Sequence, residues 1–305
     1  IERGIALDER PAGPVVVKLD ELLGEKKEKY RVLVVLRSDN TALYATEDLS
    51  LVLHKFRDYP DLARSIYVVD VRQSLHFTQV FKTLEIAGYE AAGKCLHIPY
   101  DLVVLPGNVI ISSREGNVVL LEDLIREAIA RAKEETRAKN PALGEQQLED
   151  VARAVGLGAL KYPLLARENA KVVTFDWQAA LDFNGQAAPS IQYAHVRANS
   201  LLAKAASFPA SASFAYALDA TEVTLIDHLS RFPAEIQRAA AELKPLHLAN
   251  ALYELAKAFN SFYHEVPVLK AEDPARSARL RLVAATRHAL ANGLGLLGIE
   301  APDVM

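Results

Sequence analysis

The feature that most constrains this chain is a change of character after Asn117. Before it, short apolar runs alternate with helical periods. After it, strand signals nearly vanish. Residues 31–37 and 67–71 are near-continuous apolar runs of strand length, the pattern of parallel strands buried on both faces. A helix is expected from Thr46, a capping residue type, to Arg57, and a second from Ser74 to Gly88. Strand, helix, strand, helix in this order predicts parallel βαβ units, whose ligands bind beyond the carboxyl ends of the strands. Ahead of them, residues 1–30 read as a short helix, a turn at Pro11 to Pro14, an apolar strand at 15–19 and a solvated charged run.

Beyond Asn117, Leu121, Leu124, Ile125, Ala128, Ile129 and Ala132 mark one face of a helix, with Glu127 and Arg131 paired across a turn. Asn140-Pro141 ends it. Residues 148–165 form the next helical stretch, which Pro163 should kink or end. From Asn184 onward the pattern is helical and rich in alanine. Leu246, Leu252, Leu255, Phe259 and Phe262 line one long helix; Leu280, Val283, Arg287, Leu290 and Leu294 line another. A helical bundle follows. The Ala/Ser stretch near 205–215 is a surface loop.

With 305 residues there is room for two domains, and a net charge of −4 advertises no global field for nucleic acid. A local basic face with stacking aromatics remains sufficient for RNA. Cys95 is the single cysteine, and no Cys/His spacing suits a metal. Apolar runs are strand length, far short of a membrane span, and no signal peptide is visible, so the cytoplasm is the expected compartment.

Three segments carry chemistry-bearing side chains at predicted strand ends: Tyr44-Ala-Thr-Glu-Asp48, Asp70-Val-Arg-Gln-Ser-Leu-His76 and Ser112-Ser-Arg-Glu-Gly-Asn117. Taken in that order they resemble the second half of the active site of a class I aminoacyl-tRNA synthetase, specifically an arginyl-tRNA synthetase. The resemblance continues through Phe175-Asp-Trp177, Phe183-Asn-Gly-Gln-Ala-Ala-Pro189, Ile191-Gln-Tyr-Ala-His-Val-Arg197 and the ending Gly298 to Met305, and so covers essentially the whole chain. It implies α/β plus all-α architecture: the second half of a Rossmann-type parallel sheet, then a helical anticodon-binding bundle. Residues 1–117 would be the C-terminal part of the nucleotide-binding catalytic domain, 118–185 a helical connection and 186–305 the anticodon-binding domain.

The same resemblance implies ligation of L-arginine to tRNA(Arg) through an arginyl-adenylate. ATP and its Mg2+ would be substrates, and the partner RNA rather than DNA or membrane. A guanidinium is planar and always charged, and a carboxylate is its natural bidentate partner. Asp48 would supply that carboxylate, Tyr44 shares its helical face, and Gln73 adds an amide. Taken alone, Asp48 reads better as a first-turn acid and Tyr44 as strand-end packing; Gln73 at the next strand end and the family pattern reverse that order. His76 and Asn117 would lie on the ATP side. Ser112, Ser113, Arg114 and Gly116 correspond to the mobile loop that neutralises charge on pyrophosphate. Glu115 stands where the family commonly has lysine. At about 5 Å from a phosphate charge and an effective dielectric near 20 it would oppose catalysis by roughly 3 kcal/mol. Gln192, His195 and Arg197 are candidates for tRNA contact, the first two equally for polar bridges between helices. Tyr263 is a candidate for stacking and Met305 for packing near the anticodon. Glu47 and Ser190 also depart from the family pattern.

The His-x-Gly-His segment that grips ATP in this family is absent. The chain begins on Ile1 and its first element reads like the middle of a domain, so a missing N-terminal half is expected. The chain alone would not activate arginine. A non-catalytic tRNA-binding module and one half of a split synthetase are the alternatives.

Overall fold

The computed structural model describes the chain apart from residues 27, 108, 111–119, 206 and 210. It forms two units, Ile1–Asp101 and Leu102–Met305.

In the first unit, β1 (Leu7–Asp8), β2 (Val15–Lys18) and β3 (Val32–Leu36) make an antiparallel sheet in that order. This corrects the expectation of a parallel, doubly buried strand at 31–37: β3 runs back along β2, pairing Val16 with Val34, and Val32 is exposed. The reversal is built by α1 (Leu19–Leu23) and the charged run after it. Asp20 accepts the backbone N–H groups of Tyr30 at 2.8 Å and Arg31 at 2.7 Å, which closes the connection. Residues 1–6 are not a helix, and Gly4 sits there at φ 71°, a left-handed conformation that interrupts one.

The expected βαβ unit follows. β4 (Ser65–Asp70) and β5 (Cys95–Tyr100) are parallel, in register from Ser65 with Cys95 to Asp70 with Tyr100. Between them runs α3 (Ser74–Ile86), and Gly88 at φ 76° ends its exit turn. Before β4 lies α2 (Tyr44–Asp58). Thr46 is inside that helix rather than its cap, and its hydroxyl donates to the Val35 carbonyl. Tyr67 of β4, Val52 of α2 and Phe77, Val80 and Leu84 of α3 make the core beneath one sheet face. Strand alternation turns Ile66 and Val68 to the other face, where Val68 is 63% exposed.

In the second unit, β6 (Val103–Leu105) pairs antiparallel with β7 (Val109–Ile110) and parallel with β8 (Val173–Thr174). α4 (Leu121–Lys139) packs on α5 (Glu145–Leu165). Their approach is set by Gly156: a Cβ there would lie 2.9 Å from the Ala128 backbone. The Glu127–Arg131 pair forms at 2.7 Å, and α5 ends two residues beyond Pro163. After α6 (Trp177–Ala180) come four long helices: α7 (Ala188–Lys204), α8 (Ala220–Glu242), α9 (Pro245–Glu265) and α10 (Ala275–Leu296). Leu225, Leu252, Leu255, Phe259, Phe262, Leu280, Leu290 and Leu294 share one core. On α9, Leu248 rather than Leu246 occupies the buried stripe. No helix among the described residues is long and apolar enough to cross a membrane.

Candidate functional site

In the first unit, Tyr44 and Asp48 lie one turn apart on α2. Gln73 ends the short turn Val71–Gln73 that leads into α3, and His76 follows within α3's first turn. That turn is fixed by Asp70, which accepts the Arg72 backbone N–H at 2.8 Å and pairs with its guanidinium; the pairing pulls the Asp70 carboxyl down to about 2. His76 Nε2 stands 2.6 Å from Asp48 Oδ2, so α2 and α3 meet at this pair. Both side chains are about three-quarters buried. Among the described residues no Lys or Arg pairs with Asp48, so its carboxylate keeps acceptor capacity for a cationic ligand. Tyr44 is 79% exposed and Gln73 exposed, both open to a ligand. Ser112, Ser113, Arg114, Glu115, Gly116 and Asn117 lie outside the described residues.

In the second unit the polar face expected on α7 divides. Gln192 is fully buried and donates to the carbonyls of Ala154 at 3.1 Å and Glu300 at 2.7 Å. His195 is buried, its Nδ1 lies 3.0 Å from the Pro302 carbonyl, and burial holds it toward the neutral form. These two bridge α7 to α5 and to the final segment, and in this fold neither is presented to a ligand. Met305 is likewise buried, against Ala132, Val151, Val155 and Phe183.

Arg197 is different. Its guanidinium lies 4.5 Å from the Tyr193 ring and 5.2 Å from the Tyr263 ring, and it donates to Asn260 Oδ1 at 2.7 Å. It lines a groove of about 650 Å³ between α7, α9 and the end of α4, with Lys139, Lys257 and His264 on its walls. Glu265 is there too, so three cations and a histidine face a single carboxylate. Ser190, the departure from the family pattern, lines the same groove, and its hydroxyl donates to the Ala187 carbonyl at 2.8 Å. Among the described residues no group of three His, Cys, Asp or Glu is placed to hold a metal ion.

Residues 2–177 match the family described as tRNA synthetases class I (R), catalytic domain, and residues 191–305 match the DALR anticodon binding domain. The chain belongs to the arginyl-tRNA synthetase family. It is 36% identical to arginine–tRNA ligase of Chloroflexus aurantiacus over 297 residues, 96% of this chain and 50% of that relative. Identity to the Bdellovibrio bacteriovorus ligase is 39% over 286 residues, covering 92% of this chain and 48% of the relative. The Thermus thermophilus arginyl-tRNA synthetase structure superposes with TM-score 0.87 at 32% identity, over 99% of this chain and 56% of that one. The Plasmodium falciparum enzyme, at 19% identity and TM-score 0.79, shares the fold. The chain thus spans about half the length of the curated relatives it matches.

Sequence reasoning passed over Lys139, Tyr193, Lys257 and Asn260. Tyr193 carried a usable signal, since it lies four residues before Arg197 on one helix and shares its face. Lys139 carried none, because α4 brings it to the groove from more than fifty residues away in sequence.

Proposed function

We propose that this chain supplies the arginine pocket and the tRNA-binding bundle of an arginine–tRNA ligase, whose full reaction joins L-arginine to tRNA(Arg) at the expense of ATP. The observation that carries this is Asp48: a part-buried carboxylate with no Lys or Arg partner among the described residues, sharing a helical face with Tyr44 and meeting α3 one turn from Gln73. Such a group suits a planar cation better than a neutral or anionic ligand. In this reading the loop at 112–117 serves the phosphates, and Mg2+ enters with ATP as part of the substrate.

Titration calorimetry with L-arginine is expected to register binding to this chain. ATP–pyrophosphate exchange with arginine and tRNA(Arg) is expected to stay at background. Vigorous exchange would show that the chain needs no further half, and silence in the calorimeter would remove the pocket.

Within the same reading, the α7–α9 groove takes the tRNA. The Arg197 guanidinium lies against two tyrosine rings, a setting that serves a phosphate or a base plane. Arg197→Ala is expected to weaken binding of tRNA(Arg) about tenfold and to lower the salt slope by about one, read by fluorescence anisotropy across a salt series. An unchanged slope would place the phosphate contact elsewhere.

A further inference from the structure

We propose that His76 is a positioning residue for the arginine pocket, acting through Asp48 rather than on the nucleotide. The proposal rests on the pocket reading above and names how that pocket is held.

The two side chains come from different helices, Asp48 from α2 and His76 from α3, and meet at 2.6 Å between Oδ2 and Nε2. A carboxylate on a partly exposed helix face samples several rotamers, and one fixed donor selects among them. With Nε2–H donating to Oδ2, Oδ1 stays available, and Oδ2 keeps a second lone pair. That arrangement leaves room for a guanidinium to seat on both oxygens. His76 is itself fixed, since α3 is anchored through Phe77, whose ring stacks on His97 at 5.0 Å and lies 5.2 Å from Tyr67.

Among the described residues His76 is the imidazole in contact with Asp48, while His97 of β5 points its Nε2 at the Val69 carbonyl, 3.1 Å away.

The test is calorimetric titration of the unaltered chain and two variants with L-arginine at pH 7.5. His76→Gln, which can still donate an N–H to Asp48, is expected to bind within about threefold of the unaltered chain. His76→Ala is expected to bind about tenfold more weakly, with circular dichroism unchanged. A His76→Ala affinity within about threefold of the unaltered chain overturns the inference while leaving the pocket intact. So does a loss in His76→Gln as large as in His76→Ala. No arginine binding by the unaltered chain removes the pocket reading and this inference with it.

Discussion

Replacing Asp48 with asparagine is expected to weaken L-arginine binding about a hundredfold. The change keeps the size of the side chain and removes its charge. A guanidinium offers only donors, so one end of the new amide would point a donor at donors. The loss therefore includes both the charge-assisted bonds and a repulsive contact. Hydrogen bonds to charged groups contribute roughly 1.5–3 kcal/mol, and 2.7 kcal/mol is a factor of about a hundred. Asp48 is a quarter exposed and belongs to no apolar cluster, so the fold is expected to tolerate the change. Calorimetry with arginine, beside L-citrulline as the neutral isostere, separates charge from shape. Citrulline is expected to bind both forms weakly and nearly equally. A loss smaller than about threefold for arginine would mean that another group carries the cation.

How far the residues disclosed this arrangement depends on the range of the forces involved. Local rules were enough for α2, α3, α4, α5 and the terminal bundle, because a periodic apolar stripe and a breaker such as Asn140-Pro141 or Gly88 act within a few residues. Tyr44 and Asp48 share a face for the same reason. Strand direction was not local. The run at 31–37 is apolar enough for a doubly buried parallel strand, yet Asp20 reaches forward ten residues and gathers the backbone N–H groups that reverse the chain. Nothing in the strand itself announces that. Partners across elements were equally hidden. His76 and Asp48 are 28 residues apart, and their contact follows from how α2 and α3 pack rather than from either segment. On α7, spacing placed Gln192 and His195 on one polar face, but helical spacing cannot say whether such a face meets water or the carbonyls of another segment. Here Ala154, Glu300 and Pro302 supply those carbonyls. Arg197, two residues beyond His195, turns out toward the groove with Tyr193 and Tyr263.

A large stability effect in the helical unit is expected from Arg279→Met, at about 3 kcal/mol. Glu222 opens α8 as part of a capping box: Asp219 accepts the Thr221 N–H at 2.8 Å, and Glu222 Oε2 accepts the Asp219 N–H at 2.8 Å. Unlike most capping-box acids, Glu222 is fully buried. Arg279 of α10 meets it at 2.9 Å and also donates to the Pro267 carbonyl at 3.0 Å, while the Tyr216 hydroxyl donates to it at 2.6 Å. One carboxylate therefore ties together α8, α10 and the segment before α8. Burial opposes its charge, but the bonds from Arg279, Tyr216 and the Asp219 backbone outweigh burial and hold its pKa below the ordinary value of 4.5. Burial first, and then the hydrogen bond to Glu222, push the Tyr216 hydroxyl up to about 12. A carboxylate with a depressed folded pKa contributes stability above its unfolded value and loses it as pH falls through the folded one. In the natural chain this contribution is complete at neutral pH and fades only below about pH 4.5. Methionine at 279 fills similar space and removes the counter-charge, which leaves a buried anion. Its preferred state then becomes the protonated one, and the sign of the local pH dependence reverses. The variant is expected to lose roughly 6–12 °C of melting temperature at pH 7, followed by far-ultraviolet circular dichroism, and to regain part of that loss between pH 7 and 5. Glu222→Gln in the same background is expected to restore stability at neutral pH, because it keeps the capping bonds without the charge. Equal losses at pH 7 and pH 5 would assign the effect to packing at position 279 and not to the charge on Glu222.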